Sequence, residues 1–266
     1  MLRGLRRKFR DLASLWRGGG FFARPGDFDR LFQSLRPVHT GRPLTRVGGE
    51  ADGGYLLPDD FEGLRYCFSP GVAEKANLEL ALAERGVKCF LADYSVDRAP
   101  VDHPNFEFDK KFLGKDDSGV FMTLQTWIDS KGVSGDDMLL QMDIEGYEYD
   151  VLLSTPESAL RRFRIIAVEF HGLQKLAKPQ RFAAFQQVCD KLAKDFVVVH
   201  MHPNNYAPPV VIRGVRVPPL MEITFLRKDR ALFIEPRSDF PHPLDQPNVS
   251  DKPDPPLPSE WFSPRR

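Results

Sequence analysis

The run Met138-Leu139-Leu140-Gln141-Met142, followed at once by Asp143-Ile144-Glu145-Gly146-Tyr147-Glu148, restricts the possible folds more than any other stretch of the chain. A nearly continuous apolar segment of this length is the pattern of a strand covered on both faces, as in a parallel sheet. It stops abruptly at an acid-x-acid-glycine turn, and helical spacing begins directly afterwards, so the stretch reads as strand, tight turn and helix start. In open α/β sheets ligands bind outside the carboxyl ends of the strands, where the strand order reverses. Carboxylates at Asp143 and Glu145 are therefore expected to face a pocket.

The surrounding chain repeats the pattern. Arg65 to Ser69, Val87 to Ala92, Asn105 to Phe112, Arg164 to Phe170 and Phe196 to His200 read as strands. Helices are expected at Phe28 to Leu35, Glu74 to Arg85, after the N-cap Thr123, at Tyr147 to Leu153 and from Pro179 onward. Met221, Ile223 and Phe225 alternate with Glu222 and Thr224, which predicts a half-exposed or antiparallel last strand. Strand alternating with helix and closing on an antiparallel strand is a doubly wound, mostly parallel α/β sheet. With 266 residues, 42% of them hydrophobic, there is material for one substantial core.

Three segments follow. Residues 1–45 are an appendage that begins with a basic amphipathic helix over Met1 to Arg17, stopped by Gly18-Gly19-Gly20. Residues 46–235 form the folded domain. Residues 236–266 are rich in proline and lack periodicity; they are expected to be disordered, or else wrapped along the surface on Trp261 and Phe262. The 37 basic and 37 acidic residues cancel, so no nucleic-acid partner is expected. Cys67, Cys89 and Cys189 show neither zinc spacing nor a disulfide framework, which fits a reducing, cytoplasmic setting. The basic helix adds an expected peripheral contact with the inner membrane face.

The first turn bears on the ligand. A dinucleotide site places Gly-x-Gly-x-x-Gly after its first strand so that a pyrophosphate can approach the helix N-terminus. Here the turn is Ser69-Pro70-Gly71-Val72-Ala73-Glu74, with one glycine, and Pro70 has no N–H to donate. Glu74 repels a pyrophosphate and tolerates a cation, which favours the sulfonium and ammonium of S-adenosyl-L-methionine. Asp93 ends the second strand, where a carboxylate can accept both hydroxyls of a ribose; a turn cap is the plainer alternative. Asp52, Gly53 and Tyr55 form a turn that is a candidate lid.

Leu140 to Glu148 resembles the K-x-D-x-E-G-x-E motif of FkbM-type S-adenosylmethionine-dependent methyltransferases. Met122-Thr123-Leu124 and Trp127-Ile128 resemble that family's helix before the motif. Asp52-Gly53-Gly54-Tyr55, Phe68-Ser69-Pro70-Gly71-Val72 and His202-Pro203-Asn204-Asn205 with Glu222-Ile223-Thr224-Phe225 extend the likeness from about Arg46 to Lys228. The resemblance implies a Rossmann-like class I methyltransferase fold, S-adenosyl-L-methionine as cofactor, and O-methylation of a sugar, glycan or related small molecule. Ser69 departs from the pattern by standing where the family's first turn carries an acid; Glu74 and Glu79 are candidates to replace that charge.

Within this reading Asp143, Glu169 and His171 are the candidate catalytic residues, with an unperturbed His171 titrating near neutrality and able to share the base role. Ser69, Gly71, Glu74, Asp93, Asp52 and Tyr55 are the candidate cofactor residues. Glu145, His202, Asn204 and Asn205 are candidates for the acceptor. A divalent metal is not expected; were one bound, Asp143, Glu169 and His171 would be its ligands. Two rival readings are a metal-dependent glycosyltransferase using a nucleotide sugar, and a binding protein that keeps the fold without catalysis.

Overall fold

The computed structural model describes residues 25–50, 52–135 and 137–263. The expected basic helix over Met1 to Arg17 lies outside the described residues. Seven strands form the central sheet: β1 (Tyr66–Pro70), β2 (Lys88–Ala92), β3 (Phe106–Asp109), β4 (Met138–Met142), β5 (Phe163–His171), β6 (Phe196–Pro203) and β7 (Leu220–Arg227). Their order across the sheet is β6-β7-β5-β4-β1-β2-β3. Neighbours from β3 through β5 are parallel, and β7 runs antiparallel to both β5 and β6. From β1 the chain moves outward to β2 and β3, then returns to the other side of β1 to lay down β4. The strand order therefore reverses at the β1–β4 boundary.

The helices are α1 (Pro25–Leu35), α2 (Asn77–Ala83), α3 (Leu124–Ser130), α4 (Glu148–Ser154), α5 (Glu157–Leu160) and α6 (Pro179–Leu192). Thr123 caps α3 as expected, its side chain accepting the Thr126 N–H at 3.1 Å. Two apolar cores sandwich the sheet, and the two-residue period of each strand divides its side chains between them. On β4, Met138, Leu140 and Met142 enter the core built with α1, α3, α4 and α6, whereas Leu139 enters the core under α2. An antiparallel hairpin of Leu44–Val47 and Tyr55–Pro58 also covers the second face.

The same alternation puts Ser69, Gln141, Asp143, Glu169, His171, Glu222 and His202 on that second face, since their neighbours along the strands belong to the first core. Strand pairing then lines them up: Glu169 is opposite Glu222, which is opposite His202. The result is a polar row near the tips of the parallel strands, beneath the hairpin and the α2 loop.

Three expectations change. Residues 25–35 are not an appendage: Phe28, Leu31, Phe32 and Leu35 are buried, with the Phe28 ring 5.1 Å from that of Phe182. Strand β7 is antiparallel but not half-exposed, because Thr224 Oγ1 donates to Leu56 O at 2.8 Å and the C-terminal segment covers Glu222. Residues 236–263 are not disordered. Trp261 is fully buried with its ring 4.8 Å from that of Phe32, and its Nε1 donates to Arg216 O at 2.9 Å. Prolines remove periodicity, but Arg237, Asn248 and Trp261 supply long-range partners that hold an irregular backbone in place. Cys67, Cys89 and Cys189 are free and buried. Among the described residues no helix is long and apolar enough to cross a membrane.

Candidate active site

At the β1–β4 boundary the two strand ends touch through backbone. Asp143 N donates to Pro70 O at 3.3 Å, while on the other side of β1 Gly71 N donates to Ala92 O, at the end of β2, at 2.9 Å. Gly71 has φ +92°, and a Cβ there would lie 1.7 Å from Asp143 O. Only glycine satisfies both the dihedral and the space. Above this contact opens a cavity of about 690 Å³. Asp52, Tyr55, Gly71, Glu74, Asp93, Asp143 and Glu145 line it, as do Phe112, Phe121 and Tyr147. It is the crevice that a doubly wound sheet leaves at its switch point.

Of the candidate cofactor residues, Gly71, Glu74, Asp93, Asp52 and Tyr55 thus share one cavity. Asp93 Oδ2 accepts from Ala73 N at 2.9 Å, and its Oδ1 accepts from Ser95 N and Oγ at 2.7 and 2.6 Å. The carboxylate therefore caps both turns and retains lone-pair capacity toward the cavity. Asp52 pairs with Lys75 at 2.9 Å. Ser69 lies one layer below, fully buried, between Glu79 and Gln141. Burial pushes the Glu79 carboxyl above its ordinary range. The Ser69 hydroxyl lies within hydrogen-bond reach of Glu79 Oε1 and of Gln141 Oε1, the latter at 2.7 Å, and Gln141 Nε2 donates to the Tyr55 hydroxyl at 3.1 Å. Burial likewise pushes the Tyr55 phenol well above its usual value. Both candidates for the acid that the first turn lacks, Glu74 and Glu79, line the cavity, and Glu79 reaches down to Ser69.

The candidate catalytic residues converge. One potential ligand atom from each of Asp143, Glu169 and His171 lies within 4.8 Å of the others. Asp143 stands on the cavity wall, and Glu169 and His171 stand behind it. The cause is register: Met142 pairs with Val168, so the two strands end side by side. Burial raises the Asp143 carboxyl to about 7, the neighbouring His171 opposing the rise and Glu145, Glu148 and Asp52 adding to it. Burial, then Asp143 and Glu222, hold Glu169 well above the carboxylate range. For His171 burial acts downward, but the hydrogen bond and charge of Glu148, with Asp143 and Glu145, outweigh it and raise the imidazole to about 9. Its proton is held well above neutrality, so the expectation of a neutral-range base at His171 does not apply to this arrangement.

Glu148 was legible as part of the motif but not in this role. It is fully buried on the first turn of α4, and its Oε1 accepts from Ile144 N at 3.2 Å and Gly146 N at 3.0 Å. The same atom lies 3.0 Å from His171 Nδ1, tying the acidic loop to β5. Glu145 itself adopts φ +56° in that loop, an arrangement costing about 1–3 kcal/mol for a non-glycine residue.

The acceptor candidates divide. Glu145 lines the cavity. His202, Asn204 and Asn205 are buried instead of forming an open edge, because the C-terminal segment lies over them. His202 sits between Glu222 and Asp254, at 3.4 and 3.0 Å; burial opposes its charge, but the two carboxylates push it up to about 10. Asn204 Nδ2 donates to Glu169 Oε1 at 2.8 Å, and Asn205 Nδ2 donates to Val249 O at 2.8 Å. The apolar part of the cavity wall is aromatic: the Phe112 and Phe121 rings are 5.8 Å apart, and those of Phe121 and Tyr147 5.5 Å. No periodicity marked these three, since Phe112 and Phe121 come from short strands that, among the described residues, pair with each other and not with the central sheet.

The residues present fit S-adenosyl-L-methionine. Gly71 makes a cradle that any Cβ would fill, several acids face the cavity, and Lys75 is engaged by Asp52. Such a wall favours a cation and opposes a polyphosphate.

Comparison with solved structures returns methyltransferases at low similarity. A protein of Pyrococcus horikoshii described as an RNA methyltransferase is 15% identical, with 61% of this chain and 74% of that one covered and a TM-score of 0.33. N-methyltransferase NodS from Bradyrhizobium japonicum WM9 is 11% identical over 63% of this chain and 88% of its own, with a TM-score of 0.35. Precorrin-6y C5,15-methyltransferase from Geobacter metallireducens GS-15 is 10% identical over 79% and 93%, with a TM-score of 0.32. Similarities this low say nothing of the acceptor. No curated protein matches the chain. The family model described as the methyltransferase FkbM domain matches residues 122–197, from the end of the loop before α3 to the start of β6, so that this segment is an FkbM methyltransferase match and carries S-adenosyl-L-methionine with it as the cofactor.

Proposed function

We propose that this protein is an S-adenosyl-L-methionine-dependent O-methyltransferase acting on a hydroxyl of a sugar, glycan or related small molecule. The observation that carries the reading is the acid-lined cavity above Gly71 with the Asp143 carboxyl on its wall. When bound, the cofactor supplies a methyl group on a sulfonium. The chain's own residues must then hold donor and acceptor in line, exclude water and receive the hydroxyl proton. Asp52, Glu74, Asp93 and Glu145 favour the cationic donor, and the aromatic wall of Phe112, Phe121 and Tyr147 removes water from one side. Asp143, raised to about 7, is placed to take the proton near neutral pH.

The same acids oppose a phosphodiester or a nucleotide diphosphate, which supports a neutral hydroxylated acceptor over RNA and argues against the nucleotide-sugar alternative. Titration calorimetry tests this directly. Saturable binding of S-adenosylhomocysteine, with none of uridine or guanosine diphosphate sugars, is the expected result; the reverse pattern, or no binding of either, would refute the proposal.

A membrane-linked acceptor is supported only by the basic spacing of Met1 to Arg17, which lies outside the described residues. Deleting residues 1–17 should release the protein from anionic vesicles in a sedimentation assay, and retention by the shortened chain would end that part of the reading.

A further inference from the structure

We infer that Glu79 recognises the ammonium group of the methyl donor and so makes the cavity select ligands that carry a free amine. This assignment rests on the methyl-donor reading of the cavity proposed above. The acids on the cavity wall are unevenly matched. Asp52 is paired with Lys75 at 2.9 Å, and Asp143 and Glu145 share His171, whose Nε2 lies 3.7 Å from each. Asp93 is taken up by Ala73 N and by Ser95. Glu74 is exposed, so water hydrates its charge. Glu79 has neither a cationic partner among the described residues nor open solvent: it is 4% exposed, yet it lines the cavity.

The surroundings of Glu79 hold its carboxyl in place without neutralising it. Ser69, on β1, lies within hydrogen-bond reach of Glu79 Oε1, and the Cys89 thiol donates to Glu79 O at 3.4 Å. Cys67 stands beside Cys89, and beyond Ser69 come the Gln141 amide and the Tyr55 phenol. Burial pushes the Cys67 thiol and the Tyr55 phenol well above their usual values, so both stay neutral. Burial also raises the Glu79 carboxyl; the hydrogen bonds of Ser69 and of its own backbone N–H oppose the rise, and no positive charge contributes. A carboxyl this buried is costly to ionise unless a cation meets it.

The methyl donor carries two positive groups, a sulfonium and a primary ammonium. The sulfonium has no N–H to donate, and its methyl group has to face the acceptor beside Asp143. The ammonium has N–H donors and a compact charge, which suit a fixed, desolvated carboxylate. The solvated carboxylate of Glu74 is a poorer match, because exposed ion pairs contribute little. Glu79 takes no part in moving the methyl group; it distinguishes ligands by their amine.

Titration calorimetry on the full chain tests this with S-adenosylhomocysteine and with its deaminated analogue, in which hydrogen replaces the amino group. The unaltered protein should prefer S-adenosylhomocysteine by about 10–100-fold, the range for a hydrogen bond to a charged group. Glu79→Gln keeps the size of the side chain and an oxygen for Ser69. It should remove the preference and leave affinity for the deaminated analogue unchanged. Glu74→Gln should narrow the preference by no more than about fivefold. Equal affinity of the unaltered protein for the two ligands overturns the inference, as does a preference that survives Glu79→Gln. A loss in Glu79→Gln that is equal for both ligands marks a merely structural role and overturns it too, as does a larger narrowing at Glu74 than at Glu79. Should Glu79→Gln fail to melt cooperatively, Glu79→Asp decides: the charge is kept but drawn back by one methylene, and an undiminished preference overturns the inference. If neither ligand binds, the methyl-donor reading falls as well; if S-adenosylhomocysteine binds without preference, that reading stands and the role of Glu79 does not.

Discussion

Replacing Asp143 by asparagine is expected to lower methyl transfer by about 10²–10⁴-fold, the range for removing a group that handles a proton in the transition state. Affinity for S-adenosylhomocysteine should stay nearly unchanged. The substitution keeps size and shape, and the carboxylate has no hydrogen bond to lose among the described residues. The contact between Gly71 and the Asp143 backbone also survives. Turnover is to be measured with an acceptor found by screening sugars and glycolipids against labelled methyl donor, and affinity by calorimetry. Full activity in the variant removes Asp143 from the chemistry; normal turnover with weakened cofactor binding reassigns it to the donor. The unaltered enzyme should also lose activity as pH falls through about 7, because a base works only when deprotonated and burial has moved its titration into that range.

The second large effect is expected at Gly71. Gly71→Ala adds a Cβ that would lie 1.7 Å from a backbone oxygen, at a φ of +92°. Neither the β1 turn nor the β4 tip can yield without separating the two strand ends that form the crevice. The positive φ alone disfavours alanine, and the displaced backbone adds more, so a loss of about 3–5 kcal/mol is expected, among the larger values for one substitution. For a chain of this size that corresponds to a melting point lower by roughly 6–20 °C, and S-adenosylhomocysteine binding should disappear. Gly146→Ala is the comparison: its φ is +108°, but nothing lies within 4 Å of the place its new methyl group would take. It should cost only the conformational part, about 1–2 kcal/mol. Equal melting points for the two variants would mean that the contact at Gly71 does not hold the crevice together.

The candidate site was legible where its residues end apolar runs. Asp143, Glu169 and Asp93 each follow a stretch whose buried strand character is evident locally, and strand ends in this fold class border the ligand. Gly71 was legible as a lone turn glycine, although the reason for it, a backbone oxygen from a strand some seventy residues later, was not. Glu148 and Gln141 belonged to the same motif, yet nothing in their spacing shows that one clamps His171 and the other underlies the cavity. His202, Asn204 and Asn205 looked like an open polar turn. His202 and Asn205 are covered because Asp254, Val249 and Lys252 supply their partners from a segment without periodicity, and Asn204 turns inward to Glu169.

The sequence by itself determined the alternation of strands and helices, the antiparallel last strand and the acids placed at strand ends. Those follow from side-chain periods of 2 and 3.6, which act over a few residues. Only the tertiary structure decided that strand order reverses between β1 and β4, that Met142 pairs with Val168 so that Asp143 meets Glu169 and His171, and that the proline-rich segment closes the far side of the polar row. These outcomes depend on pairings between residues far apart in the chain, whose energies come from burial and hydrogen bonding in the assembled sheet and leave no mark on local spacing.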